Sequence, residues 1–114
     1  MTEPRLKTGL RVAAILRRYD MHGVAAFQRR RGDADSGAIV IKLALDPGRA
    51  FVLIQTYDRE GNRAWMRQGG PAPIDDAAAE AAIEKAVARD PDLYVLEIED
   101  GQGRLMLDAP VLDA

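Results

Sequence analysis

The sequence predicts an α+β fold: a single domain over residues 1–114, with a largely antiparallel sheet and two helices. Three observations carry this reading. Gly37 to Tyr57 alternates as two strands around Asp46-Pro47-Gly48-Arg49. One segment near each end of the chain has apolar residues at helical spacing. Short strand-like runs bounded by glycine-bearing turns fill most of the rest.

In the central stretch, Ile39, Ile41, Leu43 and Leu45 fall on one face, and Ala38, Val40, Lys42 and Ala44 on the other. Phe51 and Leu53 oppose Val52 and Ile54 in the same way. Pro47 fixes one φ and Gly48 frees the next, which suits a reversal. Both faces are mainly apolar, so this hairpin belongs at the centre of a sheet covered on each side. Ile41, Leu43, Leu53, Leu16, Ile83 and Val95 are the expected core.

Taken in order, Met1 to Lys7 reads as a tail or an extended arm. Thr8 is the expected N-cap of a first helix, at about residues 9–22. Val12, Ile15, Leu16 and Tyr19 make its apolar face, and Arg11, Arg17 and Arg18 lie off it. Gly23 supplies a left-handed terminator. Val24 to Arg31 follows as a strand with weak alternation. Gly32-Asp33-Ala34-Asp35-Ser36-Gly37 is a loop, its glycines read as φ-permissive and its Asp and Ser as turn formers. After the hairpin, Asp58-Arg59-Glu60-Gly61 turns the chain into a third meander strand, Asn62 to Gln68. Gly69 to Pro73 connects to a second helix, at about 76–90, capped by Asp75 or Asp76 and stopped by Pro91. Ala79, Ala82, Ile83, Ala86 and Val87 give that helix a narrow stripe for packing on a sheet. Leu93 to Glu99, a turn at Gly101-Gln102-Gly103, and Arg104 to Leu107 read as a C-terminal hairpin.

Apolar residues make up 47% of the chain and charged ones 30%, which fits a globular protein and excludes a disordered one. The absence of cysteine excludes disulfides, thiolate zinc sites and cysteine nucleophiles. MTEPRLKTGL has no apolar core of a signal peptide, and no apolar run is long enough to span a bilayer, so the expected location is the cytoplasm, away from membranes. The net charge of −2 hides a gradient. Residues 1–31 hold eight Arg or Lys against two acids, and residues 75–114 hold three against eleven. Such asymmetry suits either an acidic partner for the basic end or internal neutralisation. The small size of the domain favours the second.

Catalytic chemistry has few carriers. His22 and Ser36 are the one histidine and the one serine. His22 reads as a helix C-terminal residue, favourable to the dipole when protonated. Asp33-Ala34-Asp35 begins like a calcium loop but lacks the downstream bidentate Glu. Gly32 and Gly37 have the outer spacing of a P-loop, with Ala38-Ile39 where Lys and Ser or Thr are required. Arg31-Gly32-Asp33 is a tripeptide without a role in a cytoplasmic protein. Glu97 and Glu99 could hold a metal, and a solvated strand end explains them equally. No metal site, cofactor or catalytic residue is therefore assigned.

Arg29-Arg30-Arg31 is the sharpest feature. Alternation sends Arg30 to one face and Arg29 and Arg31 to the other. With Arg17, Arg18 and Asp33 they could form a phosphate-binding patch. The competing reading pairs them with Asp33, Asp35 or the acidic C-terminal strand, and the overall charge favours it. Trp65, between Arg63 and Arg67, is either a partner-facing anchor flanked by Arg67 or a cover for a core edge. Nucleic acid is disfavoured by the charge and by the few aromatics.

Several segments together carry a resemblance. They are Arg5-Leu6-Lys7-Thr8, Leu16-Arg17-Arg18, Arg30-Arg31-Gly32-Asp33, Ala64-Trp65-Met66-Arg67, and Arg89-Asp90-Pro91-Asp92-Leu93 with Val95 to Asp100. In this order they resemble the fourteen-ninety-one family of domains of unknown function, short alphaproteobacterial proteins. The resemblance implies a bacterial, cytoplasmic protein and supplies no activity or ligand. The chain departs from the family pattern at Arg11, where an aromatic is common, and at the extra Gly101. The leading functional expectation is a non-enzymatic interaction module with an unidentified protein partner. The alternative is a small enzyme or binder acting on a phosphorylated ligand through arginines and carboxylates. Self-association is a further expectation: a homodimer that sets the basic strand, through Arg29 or Arg31, against the acidic region of a second copy.

Overall fold

The computed structural model describes residues 6–112, so most of the expected N-terminal arm lies outside the described residues. In chain order they form α1 (Thr8–Asp20), β1 (Ala25–Arg30), β2 (Ile39–Asp46), β3 (Arg49–Tyr57), β4 (Arg63–Arg67), β5 (Ile74–Asp75), α2 (Asp76–Arg89), β6 (Tyr94–Glu99) and β7 (Val111–Leu112). The strands make one sheet in the order β1-β6-β2-β3-β4-β7, with the short β5 on β3. The α+β class is as the sequence predicts.

The central hairpin forms with Ile41 opposite Leu53 and Leu43 opposite Phe51, and Gly48 takes φ 90° in its turn. Its alternation divides the core. Ile39, Ile41, Leu43 and Leu53 pack with Val12, Ile15 and Tyr19 of α1, whereas Val40 and Val52 pack with Ala79 and Ile83 of α2. Each helix covers one face because each face needs cover. Ile41 and Leu43 are wholly buried, and burial of one such side chain contributes about 1.5–3 kcal/mol. Of the expected core, Leu16 alone is only half-buried.

The expected C-terminal hairpin is absent. β6 inserts between β1 and β2, antiparallel to β1 and parallel to β2, so the sheet is mixed. Arg104 to Leu107 joins no strand. It crosses the α1 side of the molecule, where side chains replace a ladder. The Tyr19 hydroxyl donates to the Arg104 carbonyl (2.6 Å) and accepts from the Met106 N–H (2.9 Å), and Arg18 Nη1 donates to the Leu107 carbonyl (2.6 Å). Met106, Leu107, Ala109 and Val111 then pack on the α1-side core, and β7 finishes as a parallel neighbour of β4. An apolar segment with its polar backbone served by a helix has no need of strand pairing.

Helix starts also differ from expectation in one case. Asp75 caps α2 as predicted, accepting from the Ala78 N–H at 2.7 Å. Thr8 does not cap α1. It is the first helical residue, and its hydroxyl donates to the Gly37 carbonyl at 2.7 Å. The first-turn N–H groups of Thr8 and Gly9 instead donate to the carbonyls of Asp35 and Ala34. The 32–37 loop is thus the cap, which frees the Thr8 hydroxyl for the loop.

That loop corrects a second expectation. Gly32 and Gly37 do not have positive φ. They are glycines because the loop lies against the chain entering β6. A Cβ on Gly32 would run into the Asp92 carbonyl oxygen and come within 2.7 Å of Leu93 and Tyr94 backbone atoms; one on Gly37 would meet the carbonyl oxygens of Asp92 and Asp33. The Asp33 carboxylate folds the loop by accepting from the Ser36 N–H (3.1 Å) and hydroxyl (2.8 Å), and those bonds hold it below the usual carboxylate range. Because backbone cannot swing away as a side-chain tip can, Gly32→Ala and Gly37→Ala should each cost about 3 kcal/mol in urea unfolding. Gly61→Ala, in an open turn at φ 84°, should cost about 1 kcal/mol, from backbone strain alone. Equal costs at the three positions would refute the close approach.

Candidate functional site

Lys42 is the one charged residue inside the apolar run of β2, and it points to the α2 side of the sheet. It is 6% exposed. Parallel pairing of β2 with β6 sets it opposite Glu97, and the first turns of α2 hang Asp76 and Glu80 above it. Lys42 Nζ donates to Asp76 Oδ1 (2.5 Å) and Glu80 Oε2 (2.7 Å). Arg29 closes the cluster from β1, with a two-pronged pair to Glu80 (2.8 and 2.6 Å) and a bond to Glu97 (3.1 Å). Burial pushes the Lys42 ammonium toward its neutral form, and the two carboxylates outweigh burial and raise its pKa. The Arg29 guanidinium, aided by Lys42, holds Glu80 far below its ordinary value, at about 2.

Beside this cluster opens a cleft of about 450 Å³. It lies where the parallel strands β2 and β6 end, between the β2–β3 turn and the start of α2. Asp46, Asp76, Glu97 and Glu99 line it around Lys42. Asp46 and Glu99 are exposed and make no ion pair among the described residues. No group of three or more His, Cys, Asp or Glu among the described residues is placed to hold a metal ion.

The sequence-predicted arginines do not converge. A bulge between Gln28 and Arg30 breaks the alternation of β1. Arg29 and Arg30 therefore both turn to the α2 side, where they flank a groove floored by Ile83, Val87 and Val95. Arg30 Nη2 donates to the Pro91 carbonyl (2.7 Å), and its Nε is buried without a hydrogen-bond partner. Arg18 is tied to the C-terminal segment across the sheet, Arg17 and Arg31 are exposed, and Asp33 is occupied by Ser36. Arg67 sits over the Phe51 ring, 4.9 Å from its centroid. Trp65 is fully buried and offers nothing to a partner at the surface. The basic strand and the acidic strand are neighbours in one chain, so the charge-based reason for a homodimer through Arg29 disappears.

On the α1 side, the sequence places Arg11 off the apolar face of the first helix. Arg11 is instead 5% exposed, in line with Ile15 and Tyr19 at successive i+4 steps. Its Nε donates to Asp108 Oδ2 (2.8 Å), and the other oxygen of Asp108 accepts from Trp65 Nε1 (3.0 Å). Burial pushes Asp108 up, but Arg11 and the Trp65 N–H win and hold it below its ordinary value. Nothing in the sequence pairs residues this far apart. The departure from the family pattern at Arg11 was the available signal.

The family profile described as "Protein of unknown function (DUF1491)" matches residues 6–108. A crystal structure of a DUF1491 family protein from Caulobacter crescentus is similar over 95% of this chain and 100% of its own, at 35% identity and TM-score 0.84. An NMR structure of a DUF1491 family protein from the same organism gives 34% identity and 0.84, over 96% and 99% of the two chains. The solution structure of protein Atu0922 from A. tumefaciens gives 26% and 0.73, over 93% and 97%. No curated protein matches the chain.

Two outcomes follow from the charge clusters. Glu80 titrates at about 2 when folded against an ordinary 4.5, so its contribution is complete above about pH 4.5 and lost as pH falls toward 2. Glu80→Gln should lower stability by roughly 1 kcal/mol at pH 7, after solvent screening of this part-exposed group, and the gap to wild type should narrow below about pH 4.5 and close only as pH falls to about 2 in thermal scans. A gap independent of pH would refute the pairing. On the other side, Asp108→Asn leaves Arg11 buried against a neutral amide and should cost about 3 kcal/mol. Arg11→Met with Asp108→Asn, whose amide oxygen still accepts from the Trp65 N–H, should recover most of that loss, as read by denaturant midpoint and Trp65 emission.

Proposed function

Because this chain belongs to the DUF1491 family, whose function is unknown, we propose from its own geometry that it is a non-enzymatic interaction module of the cytoplasm. Its partner is a protein segment carrying lysine or arginine, taken into the cleft at the ends of β2 and β6. The observation that carries this is the imbalance of the cleft. Its lining sets Asp46, Asp76, Glu97 and Glu99 against Lys42, and the charge of Lys42 is already spent on Asp76 and Glu80. A volume of about 450 Å³ lies within the range of small-ligand pockets, enough for one or two long basic side chains.

Binding suits this chemistry better than catalysis. Glu80 is held at about 2 and Lys42 is shifted upward, so neither is poised to exchange a proton near neutral pH. The absence of cysteine fits a reducing compartment. A phosphorylated ligand held by the arginine run has less support, since Arg29 is saturated by two carboxylates.

A fluorescent tetralysine peptide tests the proposal. It should bind saturably at low salt. Asp46→Asn with Glu99→Gln should weaken it at least fivefold, beyond the effect of removing two charges elsewhere by Asp20→Asn with Glu84→Gln. Equal weakening by both pairs would mean attraction to net charge alone and would defeat the assignment.

A further inference from the structure

We propose that the cavity beneath the start of α1 binds a small oxyanion, a carboxylate or phosphate carried on a short apolar body. The cavity is on the opposite side of the sheet from the acidic cleft and has a volume of about 260 Å³. Arg11 forms part of its wall. Asp108 holds that guanidinium through Nε alone, and the Arg11 side chain makes no other hydrogen bond among the described residues. A buried arginine anchored by one nitrogen keeps its two terminal nitrogens as donors.

The other wall groups have the same polarity. Arg63 is half-buried at the start of β4, and its side chain makes no ion pair among the described residues. Gln55 spends its carbonyl oxygen on the Ile39 N–H at 2.6 Å, which leaves its amide NH₂ as a donor. Lys7 stands at the rim opposite Asp35, a loose and exposed pair at 3.6 Å. Counting Asp108 behind Arg11, the site keeps a net charge of +1. The first turn of α1 contains no acid, so the positive end of the helix adds to that sign. The helix N–H groups are not the ligands, because the 32–37 loop already takes the first two.

Two arginines at one small cavity favour a ligand with paired acceptor oxygens, since a guanidinium matches a carboxylate or phosphate edge. Leu6 and the Tyr57 ring, both largely exposed, line the mouth and suit an apolar body outside the charged end. This also gives Arg11 a reason to be charged. An apolar residue would fill the helix position without desolvating a guanidinium. A charge kept there against that cost is available for a ligand.

The test is an NMR titration of the full chain, at constant ionic strength, with inorganic phosphate, benzoate and acetate, against chloride. Saturable amide shifts at Ser36, Gly37, Gln55 and Arg63 should appear with phosphate or with benzoate. Saturation by phosphate alone assigns a phosphoryl ligand, and stronger binding of benzoate than acetate assigns a carboxylate with an apolar body. Arg63→Gln should weaken the binding at least tenfold, the loss of one charge-assisted contact, without moving the thermal midpoint. Arg11→Lys keeps the buried charge but removes the fork, and should abolish saturation while chemical shifts elsewhere report an intact fold. Linear shifts equal to those of chloride, or saturation unaffected by Arg63→Gln, would overturn the proposal.

Discussion

β6 sits between β1 and β2, and most of the molecule depends on that insertion. It joins the chain's most acidic strand to one that carries two arginines. Each residue pairing follows from the register: Glu97 lies opposite Lys42 on one side and Phe27 on the other, so Arg29 two residues along β1 reaches it. The gradient of charge along the sequence is thereby offset in part, where Arg29 meets Glu97 and Glu80. The same insertion makes β2 a fully interior strand, buried on both faces and hydrogen-bonded on both edges. That is the environment in which an unbroken apolar run is stable and in which a lone lysine must find partners.

Each face of the sheet carries one buried cation, and the two are solved alike. Lys42 on the α2 side takes carboxylates from a helix that follows it by more than thirty residues, at separations of 34 and 38. Arg11 on the α1 side takes one from a segment 97 residues away. A buried ion pair gives little net stability over apolar packing, because desolvation offsets most of the attraction. Its stronger effect is on the alternatives. If α2 slid by a residue, or the 101–110 segment took another path, a cation would be left in the core without its carboxylate. The two pairs therefore fix where a helix and a long irregular segment lie, which the apolar surfaces alone do less sharply.

What could be read in the sequence was local. The hairpin, both helices, the Asp75 cap and the division of the core into two faces follow from periods of 2 and 3.6 and from turn chemistry over a few residues. What could not be read was long-range. Parallel pairing of β2 with β6 has no turn to announce it, and the expected Gly101 turn invited a hairpin instead. The bulge in β1 was invisible for the same reason, and it moved Arg30 to the face opposite the one alternation gives. The charge of Arg11 argues for the surface. Its position, four residues before Ile15 and eight before Tyr19, was that of a core residue. Lys42 was assigned to the correct face, but Glu80 above it lay in a helix read only for its small-residue stripe. Asp108 carries no pattern at all, and Asp46 reads only as part of a turn.

The two proposed sites differ in how they are supported, and that difference bears on what each can bind. The acidic cleft has a fixed floor, since Lys42, Asp76 and Glu97 belong to β2, α2 and β6. Its free carboxylates, Asp46 and Glu99, stand at strand ends, beside the turn that Gly48 closes at φ 90°. Free charges on strand ends above a rigid base suit flexible basic side chains, which gain attraction and on-rate without a demanding geometry. The α1 cavity is the reverse. Arg11 is clamped by Asp108, which is in turn oriented by the Trp65 N–H, and Gln55 is fixed by Ile39. These two donors, unlike Arg63 and Lys7 at the same cavity, lose little freedom on binding and favour discrimination by shape, which suits a small rigid anion. On these proposals the sheet separates a permissive cationic-partner face from a more exacting anion site, and the difference lies in how each buried cation is held: Lys42 by two part-exposed carboxylates, Arg11 by one that Trp65 orients.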